Sequence, residues 1–520
     1  ALTSKPFRYS ARNWELSRRK SVSPHDSTGA NLIVQVKNNR VMRVLPLEND
    51  AVNECWLADR DRFSYEALNG PERLTAPMLK QGGEWKTVDW QTALEYVANG
   101  LKHIKADHGA QGIGALVSPH STVEELYLAG ALVRSLGSEN IDYRLRQAEF
   151  TAGEGVRWLG TSIASLSELQ RVLVVGANLR KDHPLFALRV RAAVRKGAQV
   201  SVIHDADDDW AMPIAAKSVV AAGEWARALG AVALAIADEK GVAPPASVRP
   251  ELVEGLRQAQ PERWTAIAKS LLSGERKAIL LGNAAAHHAK ASSLLAIANW
   301  IGEQTGASVG YLTEAANTVG AQLAGALPRA GGLNAGQMLA GGLKAVLLLN
   351  TEPAFDAADG AKAAAALGQA EMVVTLSPFK ANLDISDVLL PIAPFTETPG
   401  TFVNAEGRVQ SFHAVVKPQG EARPAWKVLR VLGNMLGLQG FDFETAQDVL
   451  LAARGPQDAG QEFVQGPRLD NSTSAAIDLT AVEGRPATAA IYQLDSIVRR
   501  APSLQLTADA RSAAAQGVPA

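Results

Sequence analysis

Residues 171–209, RVLVVGANLRKDHPLFALRVRAAVRKGAQVSVIHDADDD, constrain the fold more than any other stretch of this 520-residue chain. Residues 172–175 are a short β-branched run ending at Gly176, and Leu185, Leu188, Val190, Ala192 and Val194 follow at helical spacing. Residues 200–203 form a second apolar run. Strands buried on both faces of a parallel sheet read as continuous apolar text, and a parallel pair needs a crossover of about a dozen residues. Both conditions hold, so the stretch predicts one βαβ unit. Ligands of such sheets sit beyond the carboxyl ends of the strands. That rule puts Gly176, Ala177, Asn178, His204 and Asp205 at a crevice where a nucleotide would lie. Gly176 has no second or third glycine at G-x-G-x-x-G spacing, so no pyrophosphate site follows from the motif. The unit reads first as a structural, doubly wound element.

Length at about 150 residues per domain suggests three or four domains. The 52 Lys+Arg residues balance 53 Asp+Glu, leaving no field to draw nucleic acid or an anionic membrane; both are excluded as partners. No apolar run approaches the roughly 18 residues of a spanning helix, and no signal peptide opens the chain. The expectation is a soluble, non-secreted chain with no direct membrane insertion. Cys55 is the only cysteine. It excludes an internal disulfide and any four-thiolate site built from this chain alone, and is expected to be a buried or bystander thiol beside Trp56.

In chain order, residues 1–20 are polar and basic, with Arg8, Arg12, Arg18, Arg19 and Lys20, and read as a connector. Residues 21–75 read as a small β-rich module: 31–47 alternate apolar and polar about Asn38-Asn39, a β-hairpin signal, and the linker NGPERLTAP ends the module. An amphipathic helix over 90–105, a strand over 113–117 and a helix over 121–136 capped by Ser121-Thr122 follow. Beyond the central unit, 215–237 reads helical, 278–282 as a strand, 283–306 as a helix, and 307–312, 346–349 and 372–376 as strands. Strand and helix alternate through 76–440, which predicts an α/β fold of doubly wound parallel-sheet domains, two intertwined subdomains with the inner one at about 165–330. Glycine-rich 320–342 reads as loops at a domain seam. Residues 441–520 read as a partly disordered extension with a frayed tail from Ala510.

Three stretches resemble the molybdopterin oxidoreductase superfamily. VVGANLRKDHPLFALRVRAAVRKGAQVSVI is similar to its strand, G-x-N, His-Pro helix and second strand; TPGTFVNAEGRVQ (398–410) is similar to its G-T-x-x-N-x-E-G-R-x-Q motif; SDVLLP is similar to the strand before it. The N-terminal text ALTSKPFRYSARNWELSRRK, continuing to FSYEAL, is similar nearly throughout to the large iron–sulfur subunit of respiratory complex I, the NADH–quinone oxidoreductase. In that family, residues like Ala1 to Pro6 follow the last cysteine of a tetranuclear cluster site.

The resemblance implies a molybdopterin-oxidoreductase-like fold. It also implies a crevice formed by Gly176, Asn178, His183, Gly400, Asn404 and Arg408, with Glu397 beside it, which here is degenerate and maintains the fold. Catalytic relatives need a 4Fe–4S module, whose four cysteine positions fall on Ser23, Asp26, Ala30 and Cys55, and a metal ligand in the loop corresponding to GSENIDYRLRQAEF, where Ser138 and Asp142 are the candidates. Cluster irons are held by thiolates, and three are absent at these positions. The expectation is therefore no catalytic residue, no metal site and no cofactor in this chain, with 2Fe–2S and 4Fe–4S clusters in an iron–sulfur domain just upstream. Two further candidates read as structural. His287-His288 would point about 100° apart on a helix and cannot chelate together, and the carboxylates of 204–209 read as a solvated loop rather than a cation site.

The resemblance implies a subunit of the proton-pumping NADH:quinone oxidoreductase acting as a cofactor-free scaffold of the peripheral arm, at the cytoplasmic face of a bacterial inner membrane. Its partners would be the NADH/FMN-binding subunit and the quinone-module subunits. Arg8, Arg12, Arg18 and Arg19 are candidates for contacts with them or with the cluster domain. The rival is a catalytic molybdopterin-dependent oxidoreductase of the formate-dehydrogenase or nitrate-reductase type. A third reading is a nucleotide-binding regulatory module using the crevice at Gly176 and Gly282.

Overall fold

The computed structural model describes residues 4–151, 155–259, 261–455 and 469–515. Its strands are β1 (Ser17–Val22), β2 (Asn31–Lys37), β3 (Arg40–Pro46), β4 (Met78–Gln81), β5 (Glu84–Thr87), β6 (Ile113–Val117), β7 (Ile141–Asp142), β8 (Arg171–Val175) and β9 (Gln199–His204), then β10 (Ala216–Val219), β11 (Lys277–Leu281), β12 (Ser308–Tyr311), β13 (Ala345–Leu349), β14 (Met372–Ser377), β15 (Val388–Pro391), β16 (Gly400–Val403) and β17 (Val409–Phe412).

The βαβ unit is the centre of a five-stranded, all-parallel sheet in the order β10-β9-β8-β11-β12. Its strands are apolar throughout because both faces are covered. Leu173, Val175, Ile279 and Leu281 pack on one side with Trp225 of the helix Trp225–Lys240. Val172, Val174, Val200 and Val202 pack on the other with Phe186 and Val190 of the helix Pro184–Arg195. A seven-stranded sheet, β5-β4-β15-β14-β13-β6-β7, forms the second body; β15 through β7 are parallel, and β4 and β5 add an antiparallel edge. In sequence, the five-stranded sheet lies between β7 and β13. The third sheet is the N-terminal β1-β2-β3, where Asn38 (φ 50°) and Asn39 (φ 59°) make the tight turn between β2 and β3.

The helix Val123–Leu136 illustrates local and tertiary signals agreeing. Thr122 and Glu125 form a reciprocal capping box (3.3 and 3.0 Å), and Gly137 ends the helix at φ 97°. Its Glu124 carboxylate accepts from the Thr401 amide (3.0 Å) and hydroxyl (2.8 Å) at the start of the β16–β17 hairpin, and burial pushes the Glu124 carboxyl up to about 7.

Several sequence expectations need correction. The connector ends earlier than residue 20, because Ser17 to Lys20 already pair with β2 in β1. Within 215–237, residues 216–219 are the edge strand β10, and the helix starts at Trp225. The 283–306 helix is broken: Asn283–Ala286 and Ala291–Thr305 flank a turn that holds His287 and His288. The glycine-rich segment contains the short helices Thr318–Leu323 and Ala335–Leu339.

The C-terminal region is more integrated than expected. Phe441, Val449 and Leu450 are buried in the core of the seven-stranded sheet. Residues 456–468, which fall in the extension read as partly disordered, lie outside the described residues, as do 516–520 of the tail; Ala508–Ala515 is a helix. Residues 490–507 form a strap held by buried charge. Asp495 caps the helix Ser496–Arg499 and pairs with His25 Nδ1 at 2.7 Å, while His25 Nε2 meets Ser64 Oγ at 2.7 Å. Arg499 bonds Glu352 (3.1 Å) and Asp356 (2.5 Å), and Arg500 bonds Glu352 (2.6 Å) and Glu72 (2.8 Å). Among the described residues no helix is long and apolar enough to cross a membrane.

Two outcomes follow. A Cβ on Gly282 would overlap Ala177 Cβ and the Gly176 carbonyl where β8 and β11 end. Gly282→Val is expected to destabilise the chain by about 2 kcal/mol, seen as a lower urea midpoint. For the strap, burial disfavours the His25 imidazolium but Asp495 more than offsets it, so His25 is held above its ordinary value. Burial likewise opposes the Asp495 carboxylate, and His25 holds it well below the usual range. The raised histidine stabilises below its unfolded value of 6.5 and loses that contribution as pH rises through its folded value; the depressed aspartate stabilises above its unfolded value of 3.8 and loses it as pH falls. Asp495→Asn is expected to cost about 3 kcal/mol, to weaken the dependence of stability on pH above 6.5, and to raise amide exchange selectively in residues 492–507.

Candidate functional site

Each parallel sheet has a point where strand order reverses, and ligands of such folds bind outside the carboxyl ends there. In the five-stranded sheet that point lies between β8 and β11. It is closed: Gly282 N–H donates to the Val175 carbonyl (2.8 Å) and Ala284 N–H to the Gly176 carbonyl (3.1 Å), and a Cβ on Gly176 would come within 2.7 Å of Ala285 N and the Trp225 ring. The crevice read at Gly176 and Gly282 is therefore filled by backbone. In the seven-stranded sheet the reversal lies between β6 and β13, and there the chain leaves the strands through Ser118, Pro119, His120 and Thr351. The ends of β11 and β12 bring Asn283, Thr313 and Glu314 to the same place. A cavity of 680 Å³ opens between the two sheets at these residues, the size of a small-molecule site.

Its floor is buried and rich in acceptors. His120 Nδ1–H donates to the Pro24 carbonyl at 2.8 Å, and burial lowers the pKa of the ring, so Nε2 carries a lone pair. Burial opposes the Glu314 carboxylate, but Arg146 at 3.1 Å, together with His287 and His120, offsets it and holds the group below its ordinary value. His120 Nε2, Thr313 Oγ1 and Glu314 Oε1 have no hydrogen-bond partner among the described residues. In the walls, Arg144 is held by Asp142 (2.9 and 3.0 Å) and Arg146 is shared between Glu314 and Asp356 (3.1 Å each). Phe150, Tyr143 and Tyr311 supply apolar surface, and exposed Arg329 stands at the cavity. Such a floor takes ordered water or a small polar ligand that donates hydrogen bonds.

None of the six crevice residues read from the sequence lines this cavity. Asn178 is a helix cap, its amide bonded to Asp182 at 2.9 Å. His183 is fully buried on Phe186 (ring centroids 5.3 Å), and burial lowers it to about 4. A Cβ on Gly400 would overlap the Thr122 side chain. Asn404 Nδ2 donates to the Thr28 carbonyl (3.1 Å), Ala405 N–H to Ser27 O (2.8 Å) and Gln410 Nε2 to Gly29 O (3.1 Å), so the GTFVNAEGRVQ hairpin clamps the N-terminal module. Arg408 pairs with Glu406 at 2.6 Å on the surface, and Glu397 binds buried Arg73 through both oxygens (2.7 and 2.9 Å).

The metal-ligand candidates are committed elsewhere. Ser138 Oγ donates to the Ile113 carbonyl (2.8 Å), and Asp142 also accepts from Ala335 N–H (3.0 Å). No cysteine lines the cavity. The donor set therefore does not fit a molybdenum site of the kind the resemblance implies. The cluster positions differ likewise from a thiolate cage. Ser23 Oγ donates to Asp61, Asp26 pairs with Arg60 at 2.8 Å, Ala30 is packed among Leu32 and Val34, and Cys55 is exposed rather than buried. Burial pushes the Asp61 carboxyl up to about 6. Sequence reasoning missed the roles of His25, Arg60, Asp61 and Asp495, which join these positions to the Asp182 carbonyl and to the strap. It also missed the cavity floor, although each floor residue follows a strand end by three positions or fewer. His287 Nδ1 donates to Ala487 O (2.7 Å) and His288 Nε2 to Ala222 O (3.0 Å). The 204–209 carboxylates pair with Arg485, Lys217, Arg180 and His204.

Residues 16–66 match the family model described as NADH-ubiquinone oxidoreductase NDSU1/NuoG-like, 4Fe-4S domain. This overturns the expectation that iron–sulfur chemistry lies only upstream and that no cofactor belongs to this chain: a domain of that type is within it. The chain is 29% identical over 453 residues to the mitochondrial NADH-ubiquinone oxidoreductase 78 kDa subunit of Candida albicans, covering 84% of this chain and 55% of that protein. It is 26% identical over 448 residues to the mitochondrial 78 kDa subunit of Neurospora crassa, covering 84% and 54%. It is 25% identical over 474 residues to the 75 kDa subunit of Reclinomonas americana, covering 86% and 61%. The chain thus spans about half the length of these curated relatives. Acetylene hydratase from Pelobacter acetylenicus shares the fold with a TM-score of 0.58 at 15% identity, covering 82% of this chain and 70% of that one. Residues 73–435, well over half the chain, match the molybdopterin oxidoreductase model, and the chain belongs to that family.

Proposed function

We propose that the chain is part of the large subunit of an NADH:quinone oxidoreductase, respiratory complex I, and that its α/β bodies serve this assembly structurally. The observation that carries the reading is the match of residues 16–66 to a domain described for that enzyme, in front of a molybdopterin-oxidoreductase fold. The relatives that run most of the chain's length bear the names of complex I subunits.

In this reading the assembly oxidises NADH, passes electrons to quinone and moves protons, with NADH, flavin and quinone bound on neighbouring subunits. The chain sits peripherally at the cytoplasmic face of the inner membrane, against the NADH/FMN-binding and quinone-module subunits. The structural role is supported by side-chain commitments: Ser138 and Asp142 hold strand ends, and the GTFVNAEGRVQ hairpin clamps residues 27–29.

Two measurements test this. The full-length protein, tagged and purified in mild detergent, is expected to carry inhibitor-sensitive NADH:quinone reductase activity; isolation in amounts comparable to that enzyme but without the activity would overturn the reading. Molybdenum by elemental analysis and released pterin by fluorescence are expected at background in the same preparation. Stoichiometric amounts of both would replace the structural role with a catalytic one.

A further inference from the structure

The floor of the cavity between the two sheets carries acceptors with nothing to accept. His120 Nε2, Thr313 Oγ1 and Glu314 Oε1 have no hydrogen-bond partner among the described residues, and their side chains are nine-tenths or more buried: His120 is 8% exposed, Thr313 6% and Glu314 10%. That burial is already present within this chain. His120 is fixed as an acceptor because its Nδ1–H is spent on the Pro24 carbonyl at 2.8 Å. Glu314 gives Oε2 to Arg146 at 3.1 Å, and Oε1 is the open oxygen. A buried polar atom left unpaired costs free energy, so such atoms are matched in nearly all folded proteins.

Negative charge is in excess on this floor. Glu314 ends a run of ionic contacts in which the carboxylates of Glu314, Asp356, Glu352 and Glu72 meet only the guanidinium groups of Arg146, Arg499 and Arg500. Glu149, also at the cavity, accepts from the Ser292 amide (2.8 Å) and hydroxyl (2.5 Å) and has no ion-pair partner among the described residues. Of the remaining arginines, Arg144 is taken by both oxygens of Asp142, and Arg157 Nη1 donates to the carbonyls of Asp470 (3.0 Å) and Ser472 (2.6 Å). Arg329 is exposed, where solvent and salt screen it. Hard metal ions suit the floor poorly, since they take several oxygen ligands, and no group of three His, Cys, Asp or Glu among the described residues is placed to hold one. Water would have to place its own lone pairs among acceptors. An ammonium or amidinium group has N–H donors only, and its charge strengthens a bond to a carboxylate. Tyr143 and Phe150 offer apolar surface to the body of such a molecule, and 680 Å³ is room for one.

We propose that this cavity, whose donor set does not fit molybdenum, binds a small organic cation, an ammonium or amidinium compound whose N–H groups donate to Glu314 Oε1 and His120 Nε2, with Thr313 Oγ1 as a further acceptor. The proposal does not rest on the complex I reading, because every residue it uses belongs to this chain. The test titrates the full-length protein by isothermal calorimetry with benzamidine and with benzamide, a neutral isostere whose carbonyl would face the same acceptors. Benzamidine is expected to bind roughly tenfold tighter than benzamide, and Glu314→Gln and Thr313→Val are each expected to lower its affinity by about fivefold or more. Thr313→Val removes one acceptor from a side chain of nearly equal size, so it decides the matter where Glu314→Gln, by breaking an ion pair, does not fold. A structure of the benzamidine complex is expected to place the amidinium group against Glu314. No binding, equal affinity for the two probes, variants without effect, benzamidine seated away from the floor, or a floor holding only ordered water or a segment of the protein's own polypeptide would each overturn the proposal. Absence of NADH:quinone reductase activity in the same preparation would instead fail the complex I reading and leave the calorimetric result standing.

Discussion

Buried charge is the constraint around which the assembled segments are arranged. A chain of ionic contacts runs from Glu314 on the cavity floor through Arg146, Asp356, Arg499, Glu352 and Arg500 to Glu72 beside the N-terminal module. A second set includes Asp26–Arg60 within that module and His25–Asp495, which ties the module to the strap. The members come from six widely separated parts of the sequence. Each apolar core holds its own sheet and helices, but an apolar contact accepts many relative placements. A buried ion pair adds little over an apolar replacement of equal volume, whereas loss of one partner strands a charge at a cost of about 3–5 kcal/mol. The cores therefore supply the bulk of the stability, and the charges restrict which arrangement of module, sheets and strap can be occupied.

Much of the fold was legible in the sequence, for reasons that can be stated residue by residue. Val172 to Val175 and Val200 to Ile203 are buried on both faces, so tertiary context repeats what β-propensity already favours. Asn38-Asn39 and the Thr122–Glu125 box are local devices that need no partner. What escaped lacked local content. β10, AKSV, is an edge strand whose pairing with β9 decides its form, and Ala-rich text beside it reads as helix. The basic half of β1 gives no alternation because all four of its residues are exposed among the described residues. The break before Ala291 comes from His287 and His288 bonding carbonyls at 487 and 222, far from them in sequence.

The site was half legible. The rule that ligands gather at strand ends led to the carboxyl edge of the parallel sheets, where the reversal point read at Gly176 is closed and the other one is open. Gly176 was placed at a crevice by its position at a strand end; in the structure the absence of a side chain there admits Ala285 and the Trp225 ring. At the other reversal point, the open space is lined by His120, Thr313 and Glu314, residues with no shared motif. Their common property, a position just past a strand end, becomes informative only when two sheets are known to face each other.

The family motif shows most directly how a hairpin can serve the fold away from the cavity. GTFVNAEGRVQ does not reach the cavity. Its backbone and amides bond residues 27–29, and Glu124 holds its first strand. Those bonds depend on main-chain carbonyls and turn geometry, not on what the neighbouring side chains ligate. Ser23 and Asp26 lie beside this clamp without disturbing it because their polar groups find partners in a dry interior. Asp61 and Arg60, together with His25, Ser64 and Asp495, are those partners. The His25–Asp495 contact joins this module to the strap near the other end of the sequence.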